Sequence, residues 1–156
     1  MSDYQKPLYS HIRNIVLNHD DADDVLQNTF VKVFQNLKNF KGESKLFSWM
    51  YRIATNEALT FLSQKAKLSG ISSEDLQNKT IDNLKADLYF DGDEIQIKLQ
   101  KAIVTLPEKQ QLVFKMKYFE ELKYEEIADI LGTSVGALKA SYHHAVKKIE
   151  LYVTTN

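Results

Sequence analysis

Lys139, Ser141, His143, His144 and Lys147 lie close together near the C-terminus, behind Thr133 and Ser134 and among the small residues Gly136, Ala137 and Ala140. These types suit contact with duplex DNA. Hydroxyl, imidazole and ammonium groups engage base edges and phosphates, and small residues let a helix backbone come close to the groove. No acid falls between Thr133 and Ile149, while Lys139, Lys147 and Lys148 bring +3. Adjacent histidines on a helix point in different directions, so His143 and His144 do not serve one metal from one face. Asp20, Asp21, Asp23 and Asp24 form a second polar cluster. It lacks the glycine and distal glutamate of a calcium loop, so capping and solvation is the better reading. The chain has no cysteine. It also has no His-Glu-x-x-His, no Gly-x-Ser-x-Gly and no phosphate-cradling glycine loop. Neither a catalytic residue nor a metal or other cofactor is expected.

Those DNA-facing groups need a helix-turn-helix to hold them. Tyr124 to Leu131 reads as a short helix with Ile127, Ala128 and Leu131 inward, and Gly132 supplies the tight turn. Thr133 or Ser134 caps the next helix, where Val135, Leu138, Tyr142, Ala145 and Ile149 recur at steps of three and four. Tyr142 therefore reads as core. Upstream, Ile95 to Leu106 begins a helix, and Pro107 takes a first helical position before Leu112, Val113, Met116 and Phe119.

The first half is helical as well. Leu8, Ile12, Ile15 and Val16 make one face; Asp20 or Asp21 caps a second helix with Ala22, Val25, Leu26, Phe30, Val33, Phe34 and Leu37 inward. A loop, Lys38 to Ser44, leads to a third helix ending near Ser63, with Leu46, Met50, Ile53, Ala54, Ala58 and Phe61 inward. Strand-period alternation is missing. The fold class is all-α: two small helical domains, 1–65 and 95–156, joined by a flexible acidic linker, 66–94. The net charge of −1 hides this layout, which divides as +1, −4 and +2. No stretch approaches the ~18 apolar residues of a membrane span, so membrane insertion is not expected and a cytoplasmic location is.

Four segments, taken in order, resemble the extracytoplasmic-function (ECF) sigma factors of bacterial RNA polymerase. They are Asp23-Asp24-Val25-Leu26-Gln27-Asn28-Thr29-Phe30, Phe47-Ser48-Trp49-Met50-Tyr51-Arg52-Ile53-Ala54-Thr55-Asn56, Leu106-Pro107-Glu108-Lys109-Gln110-Gln111 and Tyr124-Glu125-Glu126-Ile127-Ala128-Asp129-Ile130-Leu131-Gly132. The resemblance implies a sigma domain 2 and a sigma domain 4 with no catalysis of their own, directing promoter recognition, promoter melting and transcription initiation. Asp24, Gln27, Asn28 and Val31 would dock on the β′ clamp of core polymerase. Lys41, Ser44, Lys45, Arg52 and Asn56 would read the −10 element as it melts. Thr133, Ser134, Lys139, Ser141, His143, His144 and Lys147 would read the −35 element, and the second domain would touch the β flap. An anti-sigma factor is the expected regulatory partner.

Melting fits the composition, since Asn36 to Lys65 holds five Lys/Arg against two Glu and an opened strand needs cations on its phosphates. Trp49 and Phe47 are candidates for base stacking, with core packing the equal alternative for Trp49. The chain departs from the family at Ser63, Gln64 and Lys65 and at Ser141, His144 and Val146, where arginines are common. Each lost phosphate contact lowers the salt slope by about 0.9. A further departure is that only Met1 to Lys6 precedes the Leu8 helix where the family usually has another helix, which would expose apolar surface of the first domain. Two other readings compete: a stand-alone regulator whose first domain senses a ligand or dimerises, and, remotely, a hydrolytic enzyme. The acidic linker and two basic faces are also expected to be able to associate and mask DNA binding.

Overall fold

The computed structural model describes residues 2–42, 45–84 and 92–155, and every regular element among them is helical. Helix α1, Ser2–Val16, buries Leu8, Ile12, Ile15 and Val16 as their spacing requires. Leu17 ends it in a left-handed conformation, φ 69°. The next helix, α2, His19–Asn36, is capped by Asn18, whose side chain accepts from the Asp21 N–H at 2.9 Å. Asp20 and Asp21 are therefore first-turn residues rather than the cap, where acids still complement the helix dipole. Phe34 and Leu37, expected inward, are 58% and 45% exposed. Ala22, Val25, Leu26, Thr29 and Val33 already fill the inner stripe. Phe34 instead continues the outer row of Gln27 and Val31, seven and three residues before it.

Helix α3, Leu46–Ser69, runs six residues past the expected end, because Ala66 still faces inward and Gly70 supplies the left-handed terminator, φ 70°. Helix α4, Ser73–Asp82, then forms inside the segment read as linker. Ser72 caps it, and Leu76 and Ile81 are its buried anchors, too few to give a clear apolar period. Ile81 and Leu84 pack with Leu17 and Val104, and Asp82 pairs with Lys101 at 2.7 Å. Residues 85–91, with the start of the acidic run, lie outside the described residues.

The second half comprises α5, Glu94–Val104; α6, Glu108–Tyr118; α7, Tyr124–Leu131; and α8, Val135–Thr155. Pro107 stands at the N-cap of α6, one position before the expected one. Ala102, Ile103, Leu106, Phe114, Ala145 and Ile149 form a local core, and Tyr142 packs on it with its ring stacked on Phe114.

The two halves share a larger core. It runs from Leu8, Ile12, Met50 and Ala54 to Leu112, Val113, Met116, Ile127, Ile130 and Leu138. Lys115 and His11 place buried polar links in this seam. Lys115 is 4% exposed, and its Nζ donates to the Asn14 carbonyl at 2.7 Å, in the last turn of α1 where carbonyls lack intrahelical partners. Burial pushes the Lys115 amine down to about 8, against the opposing pull of Glu120. His11, also buried, has Nδ1 2.8 Å from Glu120 and Nε2 2.7 Å from the Thr55 hydroxyl. The Tyr51 hydroxyl is pushed up by burial, then by Glu120 and Glu126. Among the described residues, α1 and α3 thus meet α6 and α7, and α4 meets α5.

Lys115 gives a pH signature. Its amine binds a proton less readily when folded, so between about pH 8 and the ordinary lysine range the unfolded chain holds more protons and stability rises with pH. Thermal unfolding from about pH 8 to about pH 10 should show a slope that Lys115→Met lowers by up to about 1.4 kcal/mol per pH unit. Above that range Tyr51 acts with the opposite sign. Gly132, at φ 69° with nothing within 4 Å of an added Cβ, tests strain alone. Gly132→Ala should cost about 1 to 2 kcal/mol in a urea titration with an unchanged slope.

Candidate nucleic-acid interface

The turn before α8 is built as the sequence predicts. Gly132 takes the left-handed conformation, and the Ser134 hydroxyl accepts from the Ala137 N–H at 3.2 Å. Ser134 is thus the cap, while the Thr133 hydroxyl is buried with no hydrogen-bond partner among the described residues. Beyond the turn, Lys139, Ala140, His143, His144 and Lys147 are exposed along one side and Ser141 is half-buried. Lys139 does not float free: its Nζ lies 5.8 Å from the Tyr124 ring, which Lys117 approaches at 4.6 Å. Tyr124 thereby links the start of α7 to the outer side of α8. The His143 and His144 rings lie 6.1 Å apart at 59°, and no group of three metal-binding side chains occurs among the described residues.

In the first half, Lys41, Lys45, Arg52 and Asn56 are exposed, and Ser44 lies outside the described residues. Arg52 and Asn56 are one turn apart on α3, so they share a face. Arg52 also donates to the Asp129 carbonyl of α7, which brings this face against the helix-turn-helix. Trp49 is half-buried, 5.1 Å from Phe40, and Phe47 stacks on Tyr51 at 4.3 Å. Both rings are committed to packing in this arrangement. The Ser48 hydroxyl beside them is buried with no hydrogen-bond partner among the described residues.

Asp24, Gln27, Asn28 and Val31 lie exposed on one side of α2, as expected. Phe34 and Leu37 extend them into an apolar ridge that reading by core periodicity had turned inward. Lys32 on the flank is paired with Glu57 of α3. Sequence reasoning also passed over His11 and Lys115. Both carried a signal: His11 falls on the Leu8–Ile15 face, and Lys115 is three residues from Leu112 and four from Phe119. A helical period that includes a cation among apolar residues marks a buried charge needing a partner.

Comparison with known proteins agrees with this geometry. Residues 1–68 match the sigma-70 region 2 model, and residues 96–149 match the sigma-70 region 4 model. The RNA polymerase sigma-H factor of Pseudomonas aeruginosa is 30% identical over 155 residues, spanning 94% of this chain and 80% of that protein. An ECF RNA polymerase sigma-E factor of Haemophilus influenzae is 28% identical over 158 residues, spanning 96% and 83%. The fold is also that of the sigma factor RpoE of Bartonella quintana, crystallised with the anti-sigma factor NepR. Its TM-score is 0.68 at 18% identity, over 97% of this chain and 92% of that one. Two regions matched in order, and four-fifths of a 30%-identical sigma factor covered, place the chain in the ECF group of the sigma-70 family of RNA polymerase sigma factors.

Proposed function

We propose that this chain is the promoter-specificity subunit of an RNA polymerase, with no catalysis of its own. Residues 1–65 dock on core polymerase and hold the melting −10 element, 66–94 form the spacer, and 95–156 read the −35 element. The observation that carries this reading is the outer face of α2. Val31, Phe34 and Leu37 are 53%, 58% and 45% exposed beside Asp24, Gln27 and Asn28. Solvated helices rarely keep such a ridge without a partner, and apolar anchors rimmed by polar groups are what a protein interface uses. A coiled coil such as that of the β′ clamp offers matching helical ridges. On the other half, the α8 face of Lys139, Ser141, His143, His144 and Lys147 enters the major groove, with Ser134 and Thr133 at its mouth. Lys41, Ser44, Lys45, Arg52 and Asn56 hold the opened −10 strand.

The chain works in the cytoplasm with core polymerase, promoter DNA and an anti-sigma factor as partners. NepR in complex with the sigma factor RpoE of Bartonella quintana is a structural precedent for the last. Among the described residues no helix is long and apolar enough to cross a membrane. A stand-alone regulator sensing a ligand has no observation in its favour that the sigma reading does not also explain.

The deciding experiment mixes the chain with core polymerase and scores promoter-directed transcripts. Transcripts that appear only with the chain support the reading; tight binding to duplex DNA without any complex with core would sink it. Gln27→Ala with Val31→Asp should weaken core binding at least tenfold, as a central interface residue does, with the helical circular-dichroism signal intact. Unaltered affinity would remove that face from the interface. Lys139→Ala and Ser141→Ala should each lose about 1–3 kcal/mol on the preferred −35 sequence. Equal losses on every sequence would make them phosphate contacts instead.

A further inference from the structure

A cavity of about 650 Å³ opens between α3, α4 and the start of α6. None of the residues proposed for polymerase or DNA contact lines it. Its wall is aliphatic: Leu62, Leu106 and Leu112 are buried, and Leu59 and Ile71 are half-buried. Two polar side chains in the lining are also more than nine-tenths buried, Gln77 at 8% exposure and Lys115 at 4%. The Gln77 amide oxygen has no hydrogen-bond partner among the described residues. Its amide nitrogen reaches only the Ser73 hydroxyl, at 3.5 Å. A buried acceptor left unpaired costs stability, and a leucine would suit the aliphatic wall without that cost. Folding alone therefore gives no reason for an amide here, whereas a ligand bringing its own donor does.

We infer that this cavity binds a small aliphatic carboxylic acid that also carries an N–H or O–H donor. The donor pairs with the Gln77 oxygen, and the aliphatic chain lies on the leucine wall. The carboxylate goes to Lys115, whose ammonium carries three donors and holds the Asn14 carbonyl with one bond. An ammonium already removed from water gains most from an anion that is itself removed from water. Other ligand classes fit less well. No Phe, Tyr or Trp lines the cavity, so a nucleobase would find no ring to stack on. At the exposed rim Glu74 and Glu108 stand against Lys67, a balance that repels polyanions such as nucleotides. The volume is in the range of small-molecule sites, which combine an apolar lining with a few placed polar groups. This site is independent of the promoter reading.

Calorimetric titration of the full-length chain at neutral pH tests the inference with three probes, each kept below its micelle concentration. N-octanoylglycine has the chain, the amide N–H and the carboxylate; it should bind at one molecule per chain. N-octanoylsarcosine replaces the N–H by N-methyl and should bind about tenfold more weakly, because the Gln77 oxygen is left unpaired. The methyl ester of N-octanoylglycine lacks the carboxylate and should also bind at least tenfold more weakly. In Gln77→Leu, with its helical circular-dichroism signal intact, the gap between the glycine and sarcosine compounds should vanish. In Lys115→Met the gap between acid and ester should vanish in the same way. Both gaps are first read on the wild-type chain, so the inference stays testable even if a variant fails to fold. Absence of saturable binding, or equal affinity for all three probes, would overturn it and leave a cavity that holds water alone. A glycine–sarcosine gap that persists in Gln77→Leu would overturn it as well.

Discussion

A lysine ammonium buried at the end of a helix from the other half of the chain governs how the two halves meet. Lys115 leaves an otherwise apolar run on α6 and caps the last turn of α1, where backbone carbonyls carry the negative end of the helix dipole. An isolated buried charge is costly, so the site exists only because Asn14 supplies an acceptor and Glu120 an opposing charge. Glu120 in turn reaches His11, and His11 reaches Thr55 on α3. Helices α1 and α3 are thus tied to α6 and the turn after it by short polar links set inside a shared apolar core.

The remaining surfaces follow from what that seam leaves uncovered. On α2 the inner stripe is satisfied by Val25, Leu26, Thr29 and Val33, so Val31, Phe34 and Leu37 face water. On α8, Leu138, Ala145 and Ile149 are spent on the core, and the lysine and histidine side faces solvent. Lys139 is held near Tyr124, which restricts where a flexible cation can reach. In the proposed role, less entropy would then be lost when it engages a base or phosphate. The three faces proposed for docking and reading are each generated by a helical period that the core uses only in part.

Much of this was legible in the sequence. The all-α class, the core stripes of α1, α3, α6 and α8, the Gly132 turn and a cap at Thr133 or Ser134, which the structure assigns to Ser134, follow from periodicity and local capping chemistry, which depend on near neighbours alone. Periodicity turns Phe34 inward because it cannot distinguish a core position from an exposed apolar one, and Phe34 is exposed. Helix α4 has no clear period in the sequence because it buries only Leu76, Gln77 and Ile81, and Ile81 finds its packing partners in distant Leu17 and Val104. The expected exposure of apolar surface in the first domain did not appear at Leu8, Ile12 and Ile15, which are covered by α3 and α6. The seam was illegible for the same reason: the partners of Lys115 and His11 lie about a hundred residues away, and only tertiary structure brings them together.

Hydroxyl-radical footprinting of core polymerase with this chain on a promoter fragment tests the central claim most directly. The account predicts protection at two separate tracts, centred near −35 and −10, that appears only when core and chain are both present. Protection confined to one tract, or the same protection by the chain without core, would contradict it.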